Sequence, residues 1–140
     1  MRLLLAFCLL PLVGMAQPQP LLGTDDNPLL TMPEARFLDS LLRDKRQNFT
    51  FAHKRIAFLS GSSGTVIETK SRVFKHHILP WTSEGATPVL QLVPLTEAEK
   101  QASGGYDALL MSWAKLQLGP VRKQRMIREL GQAARAGAVR

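Results

Sequence analysis

Apolar and polar positions recur along this chain with two periods, and the switches between them mark its elements. From Thr31 onward Ala35, Leu38, Leu41 and Leu42 return at three- and four-residue spacing, while Arg36, Asp39, Arg43 and Lys45 fall largely off that stripe. This is the signature of an amphipathic helix. Its start is written as Thr31-Met32-Pro33-Glu34, a capping box. The threonine oxygen takes the free N–H of Glu34, the glutamate reaches back, and a proline in the first turn sacrifices no helical bond. Phe49 to Phe51 and then 55–59 are aromatic and β-rich. After the second run come Ser60-Gly61-Ser62-Ser63-Gly64 and the β-branched Thr65-Val66-Ile67, which together predict a hairpin.

Farther on, Val73, Phe74 and Ile78 have roughly helical spacing but stop at Pro80, so 71–81 stays open between helix and strand. Residues 82–88 read as a loop, and 89–93 as a short buried or edge strand bounded by Pro88 and Pro94. Thr96-Glu97-Ala98-Glu99 is a second capping box, opening a short helix that Gly104-Gly105 should stop. Leu109, Leu110, Trp113 and Leu116 also fit a helix. Their segment, 106–118, lies between a glycine stop and the Gly119-Pro120 start, and a buried central strand is the preferred reading. Val121, Met126, Ile127 and Leu130 then give a last helix its apolar side, with Gly131 near its end. The sum is a small single α+β domain over 31–131, with an antiparallel or mixed sheet of about four strands packed with two or three helices.

Ahead of the domain, residues 1–16 have the form of a secretory signal peptide. Arg2 is a short basic region, 3–13 an apolar one, and Gly14 and Ala16 are the small residues a signal peptidase requires, which places cleavage between Ala16 and Gln17. The run is too short to span a bilayer, which takes roughly 17–25 apolar residues. Export, to the periplasm or the outside of the cell, is therefore expected, with no transmembrane segment in the mature chain. Residues 17–30, with Gln17-Pro18-Gln19-Pro20 and Asp25-Asp26-Asn27, read as a flexible tether, and 132–140 as a basic disordered tail.

Removing the leader also removes Cys8, the single cysteine. A mature chain without thiols has no disulfide framework, no cysteine-ligated metal and no thiol nucleophile. Of the 18 basic residues against 11 acids, one, Arg2, leaves with the leader, and the excess that remains is skewed. Beyond Gly119 stand Arg122, Lys123, Arg125, Arg128, Arg135 and Arg140, opposed by Glu129 alone. Such a region attracts anionic lipid, polysaccharide or nucleic acid when it is more than a solvated helix face.

The motifs for catalysis are incomplete. The loop Ser60, Gly61, Ser62, Ser63, Gly64, with Lys70 beyond it, is a candidate ligand site, because amides of such loops cradle phosphate. Yet Leu59 stands where a dinucleotide fingerprint needs its first glycine, and Thr69 where a Walker loop needs one before lysine. No G-x-S-x-G surrounds the serines. His53, His76 and His77 are the only histidines, and the adjacent pair diverges on either helix or strand, so no metal site is implied. Asn48-Phe49-Thr50 is a glycosylation sequon only where the transferase exists, and Trp81 and Trp113 read as packing residues. No cofactor is implied. The functional expectation is a non-enzymatic binding or interaction protein that contacts an anionic envelope component, or another protein, through Arg122, Lys123, Arg125 and Arg128. The alternative is a small enzyme or phosphate binder using the loop from Ser60 to Thr65.

Overall fold

The computed structural model describes residues 26–61, 64–86, 88–112 and 117–137. Four strands form one mixed sheet: β1 (Ile56–Ser60), β2 (Val66–Glu68), β3 (Leu90–Pro94) and β4 (Ala108–Ser112), in the order β2-β1-β4-β3. The central strands β1 and β4 run parallel in the register Ile56↔Ala108 through Ser60↔Ser112, and the outer two pair antiparallel to them. The α+β class and the four-strand mixed sheet are those the sequence predicts. The helical segments number more than the expected two or three. They are α1 (Met32–Leu41), a composite over 70–83, α4 (Glu97–Ala102) and α5 (Pro120–Gly137).

Every residue of β1 and β4 is buried, because helices cover both faces of the sheet. Alternation along each strand sorts the side chains. Ile56, Phe58, Ala108 and Leu110 meet Ala35 and Leu38 of α1 and Leu42 just after it, together with Val73, Phe74 and Ile78, whereas Ala57, Leu59, Leu109 and Met111 meet Met126 and Leu130 of α5. The strand reading of 106–118 holds over β4; Trp113 and Leu116 lie outside the described residues. Both capping boxes form as written, with the Thr31 N–H donating to Glu34 Oε2 at 2.9 Å and the Thr96 N–H to Glu99 Oε2 at 2.9 Å.

The segment left open at 71–81 is helical, and its geometry has a local cause. It begins as α2 (Lys70–Arg72), widens to a π-helix over Val73–Ile78 and ends as α3 (Leu79–Ser83). Pro80 has no N–H to offer the carbonyl of His76, and its ring would crowd that oxygen in an α-helix. The wider turns ahead of it relieve both, with the Leu79 N–H bonding Phe74 O five residues back.

Three expectations need correction. Phe49 to Phe51 is not a strand: Gln47 and His53 have φ of 50° and 59°, the Phe51 N–H goes to Asp39 Oδ1 at 3.0 Å, and Phe49 O accepts from Arg46 at 3.0 Å. Side chains satisfy this backbone where a ladder was expected, although both rings still turn inward and meet edge to face at 5.2 Å. The tether ends earlier than residue 30. Pro28 O accepts the Ile56 N–H at 3.0 Å, Leu29 bridges Arg55 and Leu30 joins the core, while 17–25 lie outside the described residues. Lastly, α5 runs past Gly131 to Gly137, so 132–137 is helix and not tail. Gly131 serves contact rather than termination, since a Cβ there would come within 2.1 Å of Ala102 O at the end of α4.

Candidate functional site

The carboxyl ends of the parallel strands β1 and β4 are where ligands gather in α/β sheets, and here they hold Ser60, Gly61 and Ser112. What these groups do is largely structural. The Gly61 N–H donates to Ser112 O at 3.0 Å, continuing the ladder by one bond, and Ser60 is buried opposite Val66 in the β1–β2 hairpin. Gly64 has a Cβ position in open space and no left-handed φ, so the fold itself makes no demand for glycine at that position. Ser62 and Ser63 lie outside the described residues, as do Ala16 and Gln17.

Lys70, grouped with this loop from the sequence, is not brought to it, and neither is His53. Lys70 turns into the interior, where its Nζ bonds Glu34 Oε2 at 3.1 Å with both side chains buried. His53 is exposed ahead of β1, whereas Ser60 ends that strand, a separation on the order of 15–20 Å at the usual rise per residue. His77 is the histidine that reaches the strand ends. The π-helical turns of Val73–Ile78 carry its Nδ1 to Ser112 Oγ. Ser112 Oγ is fully buried and also donates to Leu59 O at 3.2 Å; a hydroxyl whose one proton is spent there accepts from His77 in its Nδ1-protonated form. The serine therefore orients the imidazole and keeps its own proton on a carbonyl. Burial is the main influence holding the His77 pKa below its ordinary value; Glu68 works against it, and His76 and Arg72 with it. Cavities of about 200 Å³ beside the C-terminal end of α1 and about 140 Å³ near Asp26 and Thr69 include neither Ser112 nor His77. Among the described residues no cluster of three or more His, Cys, Asp or Glu side chains fits a metal ion.

The second candidate is α5. Met126, Ile127, Leu130 and Gly131 are its buried side. On a helix of 3.6 residues per turn, Arg122, Arg125, Arg128 and Arg135 lie on the opposite side, and all four are exposed. Of the residues singled out in the sequence, Lys123 behaves differently. It is half-buried and bonds Glu99 Oε1 at 2.9 Å, an interaction that, together with the Thr96 N–H as the larger influence, keeps the Glu99 carboxyl below its usual range. Arg125 has a loose contact with Glu129 at 3.8 Å, and Arg122 and Arg128 have no ion-pair partner among the described residues. The first turn carries no acid, so the positive end of the helix dipole adds to the arginines.

Sequence reasoning missed the buried Glu34–Lys70 pair and the His77–Ser112 bond, both of which join residues 35 or 36 positions apart. Glu34 carried a local signal, but it was spent on the capping box, which by itself predicts an exposed carboxylate. Residues 26–132 match the family described as a domain of unknown function, DUF8192, and the chain belongs to that family. No curated protein and no solved structure matches it. No helix among the described residues is long and apolar enough to cross a membrane.

Proposed function

We propose that this domain acts by binding and not by catalysis, as an exported protein of the cell envelope or extracellular space whose last helix presents a basic face to an anionic partner. One observation carries the reading: four exposed arginines share the side of α5 turned away from the core, opposed on that helix by Glu129 alone. Guanidinium groups pair bidentately with phosphate and carboxylate and are more weakly hydrated than ammonium groups, so they suit such contacts better than lysines. The signal-like residues 1–16 support export. Among the described residues around the serine loop, Gly61 and Ser112 bond each other and Lys70 bonds Glu34, so these groups are already used in holding the fold.

The test is retention on an immobilised soluble polyanion such as polyphosphate. Retention should weaken steeply with salt, as exposed charge pairs are screened beyond roughly 10 Å at 0.1 M. It should fall in a variant with Arg122, Arg125 and Arg128 changed to glutamine. Lys123 is left intact because its bond to Glu99 ties α5 to α4. A domain that flows through at low salt has no anionic partner on this face. Export is read separately, from the N-terminal residue of the protein isolated from its own host: Gln17 is expected, and an intact Met1 chain in the cytosol would overturn it.

A further inference from the structure

Resting on that reading, we infer that the partner of the α5 face is the anionic surface of a lipid bilayer, engaged through headgroup phosphates without insertion. The layout of the face favours this. From Arg122 to Arg135 the stripe runs about 20 Å along the helix at 1.5 Å per residue, and α5 packs its apolar side on one face of the sheet while these arginines stay exposed on the other side of the helix. A plane of headgroups can touch all four arginines at once. A sugar chain or a single strand of nucleic acid is held in another way, by aromatic platforms on which its rings stack, and α5 contains no aromatic residue.

Insertion is excluded by where the apolar residues point. An interfacial helix buries its apolar side in the acyl boundary, but Met126 and Leu130 are already used against Ala57, Leu59, Leu109 and Met111, and Ile127 is buried as well. The outward side keeps arginines, glutamines, small alanines and Val121, which is 82% exposed beside Arg122. Contact is therefore electrostatic and reversible, and Glu129 is the one carboxylate on α5 that opposes it.

Co-sedimentation of the whole domain with vesicles decides the matter. Vesicles of phosphatidylcholine mixed with phosphatidylglycerol should carry the protein down at low salt, and vesicles of phosphatidylcholine alone should not. Each Arg→Gln change at 122, 125, 128 or 135 should weaken binding about fivefold, the usual effect of one basic side chain at an anionic surface. Glu129→Gln should strengthen it. These side chains are exposed, so the variants should keep the melting temperature of the parent, and the salt dependence of the unmodified protein gives a reading that needs no variant. Binding to polyphosphate without binding to the anionic vesicles would overturn the bilayer assignment and leave the basic-face reading standing. Binding to duplex DNA but not to the vesicles would do the same. Failure on all three would remove both.

Discussion

Replacing Lys70 with methionine separates a structural lysine from a ligand-binding one. The ammonium sits 3.1 Å from Glu34 Oε2 with the two side chains 1% and 0% exposed, and Glu34 Oε1 is buried with no hydrogen-bond partner among the described residues. Methionine keeps most of the apolar stem but leaves a carboxylate charge inside the protein without its cation. Breaking a buried pair from one side costs about 3–5 kcal/mol, because the surviving charge has lost both water and partner. Against a total stability of roughly 5–15 kcal/mol for a domain of this kind, that is a large fraction. The double variant Glu34→Gln, Lys70→Met removes the stranded charge, and its glutamine oxygen can still accept the Thr31 N–H. It should recover much of the loss. The exposed pair Arg72–Glu68, at 3.3 Å with Arg72 64% exposed, is the control: Arg72→Met should cost no more than about 0.5 kcal/mol. Urea denaturation at a common slope reports all four proteins. If Lys70→Met unfolds within about 0.5 kcal/mol of the parent, or if the double variant is no more stable than the single one, the pair is not what joins α1 to α2.

Gly131→Ala should destabilise the domain by about 1–3 kcal/mol despite the better helix propensity of alanine, because the new Cβ would stand 2.1 Å from the backbone oxygen of Ala102. Gly64→Ala, with open space at that position, should change the same denaturation curve by no more than about 0.5 kcal/mol; a large loss there would mean that the hairpin loop has a demand this geometry does not reveal. The His77 pKa is lowered in the folded protein, chiefly by burial. The folded state therefore holds fewer protons on this group than the unfolded chain, so its contribution is full above 6.5 and is lost as pH falls from there through the folded value. Melting temperatures recorded downward from neutral pH should fall less in His77→Gln than in the parent, and parallel curves would count against a half-buried imidazole held on Ser112.

The elements with local causes were readable in the chain. Two capping boxes place the starts of α1 and α4, because each is closed by residues three positions apart and needs nothing from the rest of the molecule. The boundaries at Gly104-Gly105 and Gly119-Pro120 pointed to a buried central strand between them, and the charge skew beyond Gly119 was legible as composition. What the sequence could not settle depended on partners far along the chain. The backbone at Phe49 to Phe51 has strand-forming residues, yet Asp39 and Arg46 satisfy it and turns on either side bend it away from the sheet. Gly131 looks like a helix stop and is in fact the place where α5 touches the end of α4. Lys70 looked available to a phosphate loop until the packing of α1 against α2 set Glu34 beside it. The arginines of α5 were countable from the start, but only the fold decided that four of them share the outer side while Lys123 turns to Glu99. Local hydrogen bonds and periodicity are encoded over a few residues; the destination of a long charged side chain is set by which surfaces the core brings together.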